Sequence, residues 1–142
     1  MKILETQSEV LSNYDVLKHI TAVQASYAAR DPKGNARATM PFNLAAILKD
    51  TQTYLTSPTQ PFAPGASTTY TDAAFRAVFE QMPPFAKKNL TMPEMLHIVN
   101  HRPTDVQALE CLIEEAENRF EAEQLEEIVA VVVGCLGEGA GS

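Results

Sequence analysis

Residues 90–128 read LTMPEMLHIVNHRPTDVQALECLIEEAENRFEAEQLEEI, and this stretch decides the fold. Thr91 with Glu94 three residues later is a capping-box signature: the hydroxyl accepts from a first-turn amide while the carboxylate reaches back to the cap's own amide. Met95, Leu96 and Val99 follow at helical spacing. Thr104 with Gln107 repeats the device ahead of Val106, Leu109, Leu112, Ile113 and Ala116, which predicts a second helix. A further helix, starting near Glu121, carries Leu125, Ile128, Val129, Val132 and Leu136. The run Ile128 to Val133 is rich in β-branched residues and also fits a buried strand. The Glu-rich helical spacing upstream, with no partner strand nearby, favours helix.

Working outward, Thr71 can cap a helix bearing Ala74, Phe75, Val78, Phe79 and Met82, which Pro83-Pro84 should end. Four short helices are thus expected in the second half. In the first half, Ser12 and Asp15 frame another capping box, followed by Val16, Leu17, Ile20, Val23 and Tyr27 at helical spacing. That helix should fade near Arg30, because Asp31-Pro32-Lys33-Gly34-Asn35 is a cluster of breakers. A partner helix begins at Pro41 or Phe42, with Leu44, Ile47, Leu48, Thr51 and Leu55 along one face. Ahead of both, Ile3 and Leu4 fall in a short extended lead. Between the halves, Ser57 to Thr69 carries Pro58, Pro61, Pro64 and Gly65 among hydroxyl residues and reads as a linker. The expected layout is all-α: an N-terminal arm and helix pair (1–56), a Pro/Ser/Thr-rich linker (57–70), a helical bundle (71–137) and a tail (138–142).

Composition fits that layout. Of 142 residues, 45% are apolar and only 7% aromatic, with no Trp, which suits a core of Leu, Ile, Val and Ala. Cys111 and Cys135 lie in apolar-periodic segments without zinc-site spacing, so they are expected to be buried, reduced thiols. The start has no apolar targeting region, and no stretch nears 18 apolar residues, so a soluble intracellular protein with no membrane association is expected. The net charge of −7 is uneven. From Glu94 onward 11 acidic residues face only Arg102 and Arg119, which disfavours phosphate backbones and favours a basic protein partner.

Catalytic chemistry is hard to find. His97 and His101 stand four apart, but the helix should be ending near Asn100 and no Glu follows His97 as a zincin requires, so surface or capping roles are preferred. Glu114, Glu115, Glu117, Glu121, Glu123, Glu126 and Glu127 lack the Asp- and Gly-containing loop of a calcium site. They read as a solvated helical face, with Glu115 and Arg119 spaced for an i,i+4 pair. Gly134, Gly137, Gly139 and Gly141 read as a C-cap and tail, and no nucleophile motif or phosphate loop is present. An interaction module without cofactor or metal is the expectation.

Asn100-His101-Arg102-Pro103, with Ile113-Glu114-Glu115, Glu117, Arg119-Phe120 and Glu123-Gln124-Leu125-Glu126 at fixed intervals after it, resembles the family of the small RNA polymerase III stalk subunit. That family is also called the calcitonin-gene-related-peptide receptor component. Leu11 to Val16 is similar to its opening helix, as are Asn43-Leu44, Ile47, Thr51 and Tyr54-Leu55, and Met1 to Leu4 to its start. The resemblance spans residues 1–136 and is weakest over Asp31–Met40 and Ser57–Tyr70. It implies a non-catalytic nuclear subunit whose arm and helix pair clasp a larger stalk partner carrying an OB-type barrel. It also implies a bundle like the helicase-and-RNase-D C-terminal (HRDC) domain, and a role with the polymerase III core and its initiation factors in transcription initiation.

The same residues have physical readings of their own. At the corner, Asn100 can end a helix, Arg102 can bond the last carbonyls or an acidic helix, His101 sits between them, and Pro103 blocks continuation. Ile3, Leu4, Val10, Leu11 and Tyr14 would leave an apolar patch on a lone chain, which a partner would cover. Ile3 and Leu4 are expected to add a strand to that partner's sheet, with Tyr14, Leu17, Leu44, Ile47 and Leu48 packing beneath it. Glu114, Glu117 and Glu121 form a candidate docking face for a factor. Two competing roles are a free helical module binding single-stranded nucleic acid, against which the acidic half argues, and a receptor-coupling adaptor, for which no lipid or basic membrane feature is visible.

Overall fold

The computed structural model describes residues 9–30, 40–63 and 70–137, and every regular element among them is helical. Ile3, Leu4, the breaker cluster at 31–35, Pro64, Gly65 and the tail at 138–142 lie outside the described residues. The chain divides into two compact units, Met1–Thr53 and Tyr54–Ser142.

In the first unit, α1 (Asn13–Arg30) opens on the expected reciprocal cap. The Asp15 amide donates to Ser12 Oγ at 3.1 Å, and the Ser12 amide donates back to the Asp15 carboxylate at 3.3 Å. Ser12 is buried by this pairing. The second helix, α2 (Phe42–Leu55), starts where proline is tolerated, just after Pro41. Ile20 and Leu48 are buried, and Gln24 Nε2 donates to Gln52 Oε1 at 3.1 Å, a bond between α1 and α2.

The second unit holds the main core. It comprises α3 (Asp72–Gln81), α4 (Pro84–Asn89), α5 (Met92–His101), α6 (Val106–Glu110), α7 (Ala116–Arg119) and α8 (Ala122–Leu136). The β-branched run lies within α8, whose Leu125, Ile128, Val129, Val132 and Leu136 are all buried. Helices α3 and α6 both pack on it, bringing Val78 and Leu109 to full burial. The described part of the proline-rich segment folds as successive turns, with the Gln60 amide bonding the Ser57 carbonyl and the Ala63 amide the Gln60 carbonyl. Phe62 packs its ring on Tyr70 at 4.6 Å, and the Tyr70 hydroxyl donates to the Val99 carbonyl at 2.7 Å.

Pro83-Pro84 ends α3 as expected, and Pro84 then occupies the first position of α4, where its missing amide costs nothing. Other expectations about this unit are corrected. Thr104 is not the next cap. Asp105 is, its carboxylate accepting from the Ala108 amide at 2.7 Å, and Gln107 therefore falls one place short of the reciprocal position. The single helix expected from Val106 to Ala116 is broken into α6 and α7, for a reason that lies in the site described next. Among the described residues of this unit, six helices stand where four were expected.

Because Leu109 and Ile128 are fully buried, Leu109→Ala and Ile128→Ala should each cost about 2–5 kcal/mol in urea unfolding. Met92→Ala, at a side chain 74% exposed, should change stability by less than about 0.5 kcal/mol.

Candidate functional site

Glu94 begins as an ordinary capping-box residue. Its carboxylate accepts from the Thr91 amide at 2.7 Å and the Thr91 hydroxyl at 2.9 Å, while the Glu94 amide donates to Thr91 Oγ1. Burial then draws in partners from further along the chain. The Glu114 amide donates to Glu94 Oε1 at 3.2 Å, and Arg119 reaches both carboxylate oxygens, at 2.5 and 3.1 Å. Arg119 also donates to the carbonyls of Glu114 and of Asn89, the last residue of α4. One ion pair thereby joins α4, α5, the turn before α7, and α7 itself.

This pair explains the broken helix. After Glu110 the chain tightens into short-range turns, with the Leu112 amide bonding the Leu109 carbonyl and the Ile113 amide the Glu110 carbonyl. The Glu114 amide, which a continuing helix would give to the Glu110 carbonyl, goes to Glu94 instead. Glu115 then turns through the left-handed region (φ 50°) and α7 restarts. The expected Glu115–Arg119 pairing is replaced by Arg119–Glu94, because a bidentate bond to a buried carboxylate outweighs a solvent-screened pair. Glu114 and Glu115 consequently lie in a turn, not on a helical face.

The corner at Asn100–Pro103 is also built differently from the expectation. Helix α5 runs through His101 and is capped by Arg102 in the left-handed conformation (φ 48°), whose amide bonds the Ile98 carbonyl at 2.9 Å. The Arg102 side chain is buried, and its Nη1 bonds neither the last carbonyls nor an acidic helix, having no hydrogen-bond partner among the described residues. Its positive charge opposes, without cancelling, the rise in the Tyr70 hydroxyl's pKa that burial causes. Pro103 is buried as well, and Asn100 lies one residue inside the helix end.

Of the residues expected to meet a partner, Val10 (66% exposed), Leu11 (54%) and Ile47 (63%) present apolar surface to solvent. So does Phe42 (85%), which the helical pattern alone does not single out. Leu44 is half-buried and Leu48 buried. Tyr14 and Leu17 line an open apolar groove on α1 with Lys18, Thr21, Ala22 and Ala25. In the second unit, Glu117 and Glu121 line a shallow polar hollow with Asn89, Asn118, Arg119, Phe120 and Gln124; Glu114 is exposed outside it. The Glu121 amide is held by Gln124 Oε1 at 3.0 Å. Cys111, expected to be buried, is exposed because α6 ends before it, while Cys135 is half-buried and burial raises its thiol pKa. Neither cysteine is in a disulfide. No helix among the described residues is long and apolar enough to cross a membrane.

Large apolar side chains left exposed in the first unit are what an assembly subunit presents, and comparison with known proteins agrees. The RNA polymerase Rpb4 family matches residues 10–135. The chain belongs to that family. Membership makes it a non-catalytic RNA polymerase subunit. A curated relative, DNA-directed RNA polymerase III subunit rpc9 of Schizosaccharomyces pombe (strain 972 / ATCC 24843), is 30% identical over 133 residues, covering 91% of this chain and 94% of the relative.

Sequence reasoning missed the reach of Glu94 and the role of Arg119. A signal was present: among 11 acids after residue 93, the two basic residues are few enough that each is available for internal use. The Arg119 guanidinium, foremost among its partners, holds the Glu94 carboxyl down to about 2 from the usual 4.5, against a smaller opposing effect of burial. A carboxyl depressed on folding stabilises the protein fully above the unfolded value, and the contribution is lost as pH falls through the folded one. Wild type should therefore lose on the order of 2 kcal/mol more than Glu94→Gln as pH is lowered from about 5 to about 2, measured by chemical unfolding at each pH. Arg119→Met should destabilise at neutral pH by about 2–3 kcal/mol, as it leaves a buried carboxylate uncompensated.

Proposed function

We propose that this chain is the smaller member of the RNA polymerase III stalk, forming a heterodimer with a larger subunit that carries an OB-type barrel and supporting initiation at small non-coding RNA genes in the nucleus. The observation that carries the reading is the identity to the fission-yeast polymerase III subunit, sustained over nearly the full length of both proteins. The apolar surface of the first unit supports it. Val10, Leu11, Phe42 and Ile47 are more exposed than a lone helix pair gains by presenting, and the α1 groove offers Tyr14 and Leu17 beside them.

Under this reading residues 1–56 bind the stalk partner, with Ile3 and Leu4 adding a strand to its sheet and Leu44 and Leu48 supporting the face from behind. Residues 57–70 connect to an HRDC-like bundle at 71–137, and 138–142 form the tail. Glu114, Glu117 and Glu121 offer a basic initiation factor an acidic face, since the one arginine among them is already committed to Glu94. The Asn100–Pro103 corner serves the bundle's structure.

The decisive experiment is a mild-salt pull-down of the tagged chain from its own cells with mass spectrometry. An OB-barrel stalk protein recovered with the large polymerase III subunits is the expected result. Recovery with the large subunits of another polymerase would keep the family and overturn the polymerase III assignment. Ile47→Asp, and more strongly Leu17→Asp with Ile47→Asp, should reduce stalk-partner recovery at least about tenfold, as charge is placed in a desolvated face. Unchanged recovery would remove this interface. Glu114→Lys with Glu117→Lys should weaken factor recruitment while leaving stalk-partner recovery intact.

A further inference from the structure

The four-residue spacing of His97 and His101 acquires meaning only if α5 stays helical through both. It does. Arg102 closes the last turn by bonding the Ile98 carbonyl, and buried Pro103 fixes the exit, so both histidines hold regular helical positions one turn apart. Both are exposed, while Met95, Ile98, Val99 and Arg102 occupy the buried side of the same segment. Their rings lie nearly parallel, at 23°, with centroids 6.1 Å apart. A four-residue spacing puts two imidazoles over one surface spot, the arrangement by which a helix offers a metal ion two nitrogens at once.

We propose that His97 and His101 chelate one divalent late first-row transition-metal ion through one ring nitrogen each, with water completing the coordination shell. Two imidazoles one helical turn apart suit Cu²⁺, Ni²⁺ and Zn²⁺ and exclude Mg²⁺ and Ca²⁺, which need oxygen donors. The position also favours a cation: the last carbonyls of a helix carry partial negative charge, and His101 stands in the final turn. Glu94, on the same helix, is not a ligand, since its carboxylate is buried and bound to Arg119, Thr91 and Glu114. The site is therefore open, with two protein ligands. Affinity should follow Cu²⁺ above Ni²⁺ and Zn²⁺. Nothing in this chemistry depends on which polymerase the chain serves.

The test is calorimetric titration of the full chain with NiCl₂ as probe, together with paramagnetic broadening of the histidine ring resonances. One equivalent should bind, reversibly on adding EDTA, and should broaden His97 and His101 while sparing His19. His97→Asn and His101→Asn should each weaken binding at least about tenfold, the low end of what even a supporting group contributes to a metal site. His19→Asn and Cys111→Ser should leave binding unchanged, the latter serving as the control for an exposed thiol that could otherwise take the metal. Binding that survives both asparagine variants, binding lost with Cys111→Ser, equal broadening of His19, or no binding would each overturn the proposal. The broadening experiment uses the unmodified chain, so its outcome does not depend on the variants folding.

Discussion

The second unit is organised by one buried carboxylate. Glu94 accepts from Thr91 as a cap, then from the Glu114 amide and from both ends of the Arg119 guanidinium. A carboxylate removed from water needs several donors, and a local cap supplies only part of them. The remaining donors come from residues 20 and 25 positions later, so satisfying Glu94 fixes where α7 lies against α4 and α5. The fold here is shaped by the hydrogen-bond demand of a charge as much as by apolar burial.

That demand also dictates secondary structure. Residues 106–116 have an uninterrupted helical apolar pattern, yet the chain breaks after Glu110 because the Glu114 amide has a stronger acceptor in Glu94. The break carries a cost, a non-glycine residue in the left-handed region at Glu115, and it yields buried positions for Ile113, Ala116 and Phe120 against the α8 core. Arg102 adopts the same backbone conformation at the end of α5. Both strained residues lie within the segment whose motifs most resemble the polymerase stalk family.

For a subunit without chemistry of its own, such a frame has a plain use. Assembly requires a surface that keeps its shape before the partner arrives. Arg119 is bound to Glu94 and Arg102 is buried, while Glu114, Glu115 and Glu117 stay exposed. The first unit shows a different arrangement: a capped helix, a short shared core at Ile20 and Leu48, and large apolar side chains left exposed. Its apolar residues outnumber the places two helices have to bury them.

Local pattern was enough for the helical class, the caps at Ser12, Thr71 and Thr91, the start of α2, and the helical state of the run from Ile128 to Val133. These are legible because caps and helical periodicity are written within three to seven residues of one another. The folded structure settled that Pro84 begins a helix, that Asp105 and not Thr104 is a cap, that α6 stops before Cys111, and that Arg119 answers Glu94. It also settled that His101 is still helical, and so which face the two imidazoles share. Arg119 and the Glu114 amide meet Glu94 across 25 and 20 residues, a separation no local pattern records, while the caps at Asp105 and Arg102 are local bonds between which the pattern offered no choice. The physical reason is that polar groups in a protein interior must be satisfied wherever the partner lies along the chain.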